Sequence, residues 1–292
     1  MQKVRKAIIP CAGFGTRFLP ATKAIPKEML PIVDTPTLQY IVDEVVKSGI
    51  TEILIVINAN KKCIEDHFDR SHELESLLEK AGKKDMLDMI KKISDKAHFT
   101  YVRQKEMNGS ANAILEGEAF VGNEPFAVLY GDDLVYTGDN IPATKQLCDA
   151  YEKTGKIIVG CQTVPKQEAP KYGVVAPGQI KGRYAEIKGF VEKPPIDKLP
   201  SQLASLGRYV LTPDIFEVIR KEVKPKNGEK YLTDAIEYLA RTTGAYAYDF
   251  EGRRYDIGDK NGFLEAIVDF ALMDKNIAPK FKEYLKNTVS KF

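Results

Sequence analysis

Residues 7–17 read Ala7-Ile8-Ile9-Pro10-Cys11-Ala12-Gly13-Phe14-Gly15-Thr16-Arg17, and residues 18–31 continue Phe18-Leu19-Pro20-Ala21-Thr22-Lys23-Ala24-Ile25-Pro26-Lys27-Glu28-Met29-Leu30-Pro31. A short apolar run enters, two glycines interrupt it, and a proline-punctuated segment carrying Arg17, Lys23 and Lys27 follows. Helical periodicity begins only at Leu38, with Ile41, Val42, Val45 and Val46 completing one apolar face. Strand-to-helix loops normally span about 2–6 residues, so the far longer connection here is a site loop rather than a linker. Its apolar content (Phe18, Leu19, Ile25, Met29, Leu30, Ile32) argues against disorder.

Working outward, Gly49 ends the helix and residues 52–58 form a continuous apolar run, the mark of a strand buried on both faces. Strand, helix and buried strand make a βαβ unit and predict a parallel sheet. Further strands are expected at residues 99–104, 126–130 and 156–164. Helices are expected at 61–68, at 73–94 with a bend near Gly82, from the Gly109 turn to about Phe120, and at 142–153. Beyond residue 164 short strands alternate with Gly- and Pro-rich turns, at 172–177, 185–193 and 205–212, which predicts an antiparallel or mixed extension. Helices at 213–222, 232–241 and 262–273, a strand at 245–250 and an amphipathic tail helix at 279–292 complete the pattern. The expected fold class is α/β: a Rossmann-like mixed, mainly parallel sheet flanked by helices, with a small antiparallel extension and C-terminal helices. One catalytic domain over residues 1–276 with a helical tail at 277–292 is the simplest organisation.

Composition sets the limits. The 292 residues are 43% hydrophobic and 29% charged, and 43 basic against 41 acidic side chains leave a net charge of +2. An anionic ligand must therefore be held by local groups rather than by a global field. No basic block, aromatic-interleaved repeat or zinc spacing suggests nucleic acid, and no run approaches a membrane span. The four cysteines (Cys11, Cys63, Cys148, Cys161) form no close pair and read as reduced thiols. With no extended apolar leader after the basic N-terminus, a soluble cytoplasmic protein is expected.

The loop of Gly13, Gly15, Thr16 and Arg17 follows a strand, so its amides can approach a phosphate. It is not a dinucleotide fingerprint, because Phe18 occupies the position that needs a small residue, and it is not a P-loop. Asp132 and Asp133 end the 126–130 strand at the same sheet edge, where ligands bind in parallel sheets. A carboxylate beside phosphates is the ordinary way to hold Mg²⁺, and Asp256 could complete such a site. Each alone has a structural reading, a glycine turn or a turn-forming Gly-Asp-Asp; together they point to a phosphate site. Glu192-Lys193-Pro194-Pro195 leaves an acid and a base at a strand end, lysine suiting phosphate and glutamate suiting sugar hydroxyls. The three histidines sit in charged or loop surroundings, and no nucleophile elbow is present.

These residues together resemble the sugar-1-phosphate nucleotidyltransferases, and most closely the bacterial UTP–glucose-1-phosphate uridylyltransferases. The likeness covers nearly the whole chain. It rests on residues 12–23 and 26–31, Tyr172-Gly173-Val174-Val175, Glu192-Lys193-Pro194, Gly207-Arg208-Tyr209-Val210 and Leu232-Thr233-Asp234-Ala235. The resemblance implies Mg²⁺-dependent transfer of a uridylyl group from UTP to glucose 1-phosphate, giving UDP-glucose and pyrophosphate. It implies that Arg17 and Lys27 hold the triphosphate, with amides from Gly13 through Gly15 to Thr16 beside it. Asp132 with Asp256 would hold the metal, Lys193 the sugar phosphate and Glu192 the glucose hydroxyls. Gln104 and Gly109, with backbone at Ala12 and Gly13, would read uracil, and Tyr172, Gly173 and Gly207 would lie on the substrate side. Tyr130-Gly131-Asp132-Asp133 departs from relatives that have proline before a single aspartate, which leaves the role of Asp133 open. A homo-oligomer, dimer or tetramer, is expected, with residues 73–94 and the tail helix as contacts. The rivals are a nucleotidyltransferase using dTTP or another sugar 1-phosphate, a non-catalytic regulatory relative, and a glycosyltransferase, whose Asp-x-Asp pattern is missing from Asp132-Asp133-Leu134.

Overall fold

A run of apolar residues with no polar alternation needs cover on both faces, and the computed structural model, which describes residues 2–291, provides it with a central sheet between two helical layers. The first half contributes β1 (Lys6–Pro10), a two-residue hairpin of β2 (Pro31–Ile32) and β3 (Thr35–Pro36), then α1 (Thr37–Lys47) and β4 (Glu52–Ile57). Next come α2 (Lys62–Phe68), α3 (His72–Lys80), α4 (Lys84–Ser94), β5 (His98–Arg103), α5 (Ser110–Leu115), α6 (Glu118–Val121) and β6 (Phe126–Leu129). The second half adds β7 (Asp133–Tyr136), α7 (Ala143–Thr154), β8 (Ile157–Thr163), β9 (Gly173–Lys181), β10 (Tyr184–Glu192), β11 (Leu203–Leu211) and α8 (Asp214–Lys221). It closes with α9 (Leu232–Thr242), β12 (Ala245–Asp249), β13 (Arg253–Asp256), α10 (Lys260–Met273) and α11 (Ala278–Val289). Residues 1 and 292, the outer ends of the two units expected from sequence, lie outside the described residues.

The main sheet has nine strands in the order β5-β4-β1-β6-β11-β8-β12-β10-β9. Strands β5, β4, β1 and β6 are parallel neighbours, as are β8 and β12; β11 runs against β6 and β8, and β10 against β12 and β9. The expected mainly parallel sheet with an antiparallel extension is what forms, except that the reversed strand β11 lies inside the sheet rather than at its edge. Strand order reverses at β1, since β4 and β5 lie on one side and β6 on the other. In open α/β sheets such a switch point opens a crevice beyond the carboxyl ends of the strands.

Alternation on β1 sends Ile8 to one core, with Phe126, Val128, Phe216 and Ile236, and Ala7 and Ile9 to the other, with Leu38, Ile41, Ile53, Ile55 and Leu147. Three features differ from the sequence reading. Residues 133–136 and 253–256, where no strand is expected from the sequence, pair as the two-stranded ribbon β7–β13, with Asp133 opposite Asp256. That ribbon packs Leu134, Tyr255 and Ile257 with Ile32 and Ala266 into a small third core. The apolar face expected along 73–94 is largely unburied: Leu78 and Leu87 go in, while Leu74, Leu77, Met86 and Met89 stay exposed. Among the described residues no helix is long and apolar enough to cross a membrane.

Arg208 on β11 is 0% exposed, and its guanidinium is filled by Glu44 of α1 (Nη2 to Oε2, 2.8 Å) and by the carbonyl of Asp133 (2.6 Å). Glu44 also accepts from the amide of Thr144 at the start of α7, at 3.0 Å. One buried charge pair thus ties α1, α7 and the start of β7 to the sheet centre, and fixes where Asp133 begins its strand.

Candidate active site

The crevice at the switch point is a cleft of about 250 Å³. The long first loop reaches it through Arg17 and is folded by short-range contacts rather than by long regular elements. Three turns of 3-10 helix (Thr16–Phe18, Ala21–Lys23 and Lys27–Met29) divide it. Thr22 Oγ1 donates to the Gly15 carbonyl at 2.8 Å, Phe18 packs edge-on against Phe263, and the buried Glu28 carboxylate takes a 2.7 Å ion pair from Lys61. The Lys27 stem runs directly under Gly15, whose missing side chain leaves room for it. Arg17 reaches across to the carbonyl of Gly258 at 3.2 Å and lines the cleft, whereas Lys23 is exposed away from it.

The Lys27 ammonium ends on Asp132 Oδ2. Burial pushes the Asp132 carboxyl up, but the charge of Lys27 and its hydrogen bond outweigh that and hold the carboxyl below its ordinary range. Asp132 is therefore an ionised, acceptor-only group. The neighbouring Asp133 goes another way: as the first residue of β7 it is 7% exposed and accepts from Arg254 Nε at 2.6 Å. Arg254 also donates to the Tyr172 hydroxyl at 2.7 Å, lies over the Tyr172 ring, and approaches Asp256 Oδ2 at 3.4 Å. Asp133 is thus the anchor of an arginine, while Asp132 pairs with Lys27.

Asp256 Oδ1 accepts from the Gly258 amide at 3.1 Å. A Cβ on Gly258 would lie 2.8 Å from Asp132 Oδ2 and 3.2 Å from Asp256 Oδ1, so the two carboxylates face one small space that glycine leaves open. Among the described residues no three His, Cys, Asp or Glu side chains form a metal cage. Mg²⁺ does not require one: it is commonly held by one or two carboxylates completed by phosphate oxygens and water. The hard oxygen pair of Asp132 and Asp256 fits that ion.

Ala12 and Gly13 follow β1, and Asn58 Nδ2 donates to the Ala12 carbonyl at 2.6 Å. Gln104, 6% exposed at the end of β5, points its amide at the Gly109 carbonyl (3.5 Å). Ala12, Gly13, Gln104 and Gly109 therefore sit at the carboxyl ends of β1 and β5, beside the cleft rather than in its lining. Gly15, Thr16 and Lys27 also lie outside that lining, in the wall behind Arg17.

Tyr172, Gly173, Glu192, Lys193 and Gly207 line the same cleft. Lys193 is held at the end of β10 by its amide bond to the Tyr172 carbonyl, 3.0 Å, in a backbone conformation with φ +43°. Its ammonium lies 3.6 Å from Glu192 Oε1. Burial pushes the Glu192 carboxyl above its ordinary range, against the pull of Lys193. Gly207 has φ +63°, and a Cβ there would fall 2.3 Å from Asp133 Oδ2, so only glycine lets β11 pass the Asp133–Arg254 pair.

Sequence reasoning missed Arg254, Tyr130, Ser205, Tyr209, Glu229 and Tyr231, all of which line the cleft. A signal existed for Arg254: with residues 253–256 read as a strand, it shares a face with Asp256 two positions on. The others carry no local signature.

The family model described as nucleotidyl transferase matches residues 6–271. A UTP–glucose-1-phosphate uridylyltransferase 2 of Staphylococcus saprophyticus is 52% identical over 286 residues, which is 98% of this chain and 98% of that protein. A crystal structure of a UDP-glucose pyrophosphorylase complexed with UDP-glucose superposes with a TM-score of 0.85 at 44% identity, covering 93% of this chain and 100% of the other. A UTP-bound UGPase from Acinetobacter baumannii gives 0.89 at 36% identity, covering 97% and 98%.

Proposed function

The chain belongs to the nucleotidyl transferase family, and from that premise we propose that it transfers the uridylyl group of UTP to glucose 1-phosphate, releasing pyrophosphate. Relatives named for this activity, and similar structures holding UTP or UDP-glucose, support the choice of substrates. The observation that carries the reading is that Arg17, Asp132 and Asp256 line one cleft together with Glu192 and Lys193.

The chemistry asks for little proton transfer. The sugar phosphate is already an anion; its oxygen forms a bond to the UTP α-phosphorus while the bond to the bridging oxygen breaks, and pyrophosphate leaves with that electron pair. Positioning and charge neutralisation then carry the rate. Arg17 and Lys27 supply positive charge to the triphosphate, the second from a position already fixed by Asp132. Lys193 draws the sugar phosphate to the reacting phosphorus, and Glu192 accepts hydrogen bonds from glucose hydroxyls. Gln104 and the backbone at Ala12, Gly13 and Gly109 present the donors and acceptors that uracil needs. Asp132 and Asp256 are the residues that would hold Mg²⁺, whose chemistry is to neutralise charge on the phosphates. Arg254 keeps Asp256 and Tyr172 in place.

Pyrophosphate release measured with glucose 1-phosphate and each of UTP, dTTP, ATP and GTP, with and without Mg²⁺, tests the reading. Rapid release with UTP that stops on chelation is expected. Equal turnover of dTTP and UTP would overturn the uridylyl assignment, and full activity after chelation the metal assignment.

A further inference from the structure

Residues 222–231 connect α8 to α9 and contain a two-residue turn at Asn227 and Gly228. Lys226 and Glu229 exchange backbone bonds of 2.8 and 3.0 Å, and Asn227 and Gly228 both have positive φ, +52° and +83°. That is the tight hairpin turn Asn-Gly favours. The returning arm is extended, so Glu229 and Tyr231 face one side and Lys230 the other. Lys230 is tied down: its ammonium donates to the Ile219 carbonyl at 2.9 Å, its amide to the Asn108 carbonyl at 2.9 Å, and its own carbonyl accepts from Ala111 at 3.1 Å. Ser110 Oγ takes the Leu232 amide at 3.1 Å. The crossing is so close that a Cβ on Gly109, at φ +109°, would lie 2.3 Å from the Lys230 carbonyl oxygen.

Anchoring Lys230 outward turns Glu229 and Tyr231 toward the cleft, where both join the lining with Ser110, Glu192 and Lys193. A flexible arm would spend binding free energy on its own ordering; this one is fixed by three backbone hydrogen bonds and the Lys230 ammonium before any ligand arrives. We propose that Glu229 and Tyr231 are sugar-selecting residues, a carboxylate and a phenol placed opposite Lys193 to hydrogen-bond ring hydroxyls of the hexose whose phosphate Lys193 holds. The Gly109–Lys230 crossing makes the arm that selects the sugar part of the loop beside Gln104, so both substrates read one shared element. This inference rests on the assignment of the Lys193 side of the cleft to the sugar phosphate.

Glu229→Gln and Tyr231→Phe, assayed in the full chain beside wild type with glucose 1-phosphate and its 4-epimer galactose 1-phosphate, test it. Each variant is expected to raise KM for glucose 1-phosphate about tenfold and to narrow the glucose-over-galactose ratio of kcat/KM at least about fivefold, the loss a removed sugar hydrogen bond brings. KM for UTP should stay within about twofold, and the melting temperature should not move. Wild-type turnover with both variants unchanged in KM and in epimer ratio would overturn this inference alone. An equal rise in KM for UTP would also overturn it, since the arm would then serve the shared loop rather than the sugar. Wild type inactive with every sugar 1-phosphate would bring down the functional reading and this inference with it.

Discussion

The Lys27 ammonium is bonded to Asp132 Oδ2, although 105 positions separate the two in the chain. Lys27 belongs to the long first loop and Asp132 to the end of β6, so the pair closes the switch-point crevice between the first and fourth parallel strands. Each keeps the other charged, and each is assigned to a different partner in the reaction. Lys27→Met should therefore cut kcat/KM by about 10²–10³-fold, the usual loss of one charge-stabilising group. Asp132→Asn should lose Mg²⁺ dependence together with activity. A metal titration of Asp132→Asn that matches wild type would refute the ligand role.

Lys193 donates its amide to the Tyr172 carbonyl, and among the described residues its side chain, 57% exposed, makes one ion pair, with Glu192 at 3.6 Å. Little of the fold depends on that ammonium. Lys193→Ala should leave the melting temperature and UTP affinity close to wild type while lowering kcat/KM for glucose 1-phosphate by about 10²-fold or more. Calorimetry with UTP alone beside steady-state kinetics separates the two effects, and unchanged kinetics would remove Lys193 from the site.

Gly207 and Arg208 are neighbours with opposite failure modes. Gly207→Ala forces a methyl group against Asp133 Oδ2 at a backbone angle that alanine resists, and should cost about 1–3 kcal/mol of stability along with activity. Arg208→Met leaves the Glu44 carboxylate buried without its partner, and should cost about 3–5 kcal/mol. The double variant Glu44→Gln/Arg208→Met should recover part of that loss. Urea unfolding of the three proteins checks the ordering, and Arg208→Met as stable as wild type would refute it.

The parallel half was legible because burial on both faces leaves an unmistakable mark: residues 52–57 have no polar alternation, and only a sheet interior accommodates them. The ribbon β7–β13 was not, because four-residue strands reading Asp-Leu-Val-Tyr and Arg-Arg-Tyr-Asp show no apolar alternation, and their charges are matched only in the folded ribbon, where Arg254 pairs with Asp133. The same ribbon hides Arg254, whose role appears only when Asp133, Tyr172 and Asp256 arrive from three separate elements. The exposed Leu74, Leu77, Met86 and Met89 show the reverse limit. Helical spacing reveals that an apolar face exists, but not what covers it.

Glu192 gives a pH test with a definite sign. Burial raises its carboxyl above the ordinary 4.5, so between 4.5 and the raised value the folded protein binds more protons than the unfolded chain. Its contribution to stability is then fully present below 4.5 and is lost as pH rises through the folded value. At neutral pH the ionised carboxylate is a liability to the fold, kept for the hydroxyls it accepts from. Glu192→Gln, which keeps the shape and removes the charge, should melt above wild type at pH 7, and the gap should close as the pH is lowered to about 4. The same variant should raise KM for glucose 1-phosphate about tenfold at pH 7. In wild type that KM should climb as the pH falls, starting above 4.5, and the variant should lack this rise. Differential scanning calorimetry at pH 4 and pH 7, with kinetics across the same range, decides it. Glu192→Gln melting below wild type at pH 7 and level with it at pH 4 would reverse the sign and place the carboxylate in a stabilising pair with Lys193 instead.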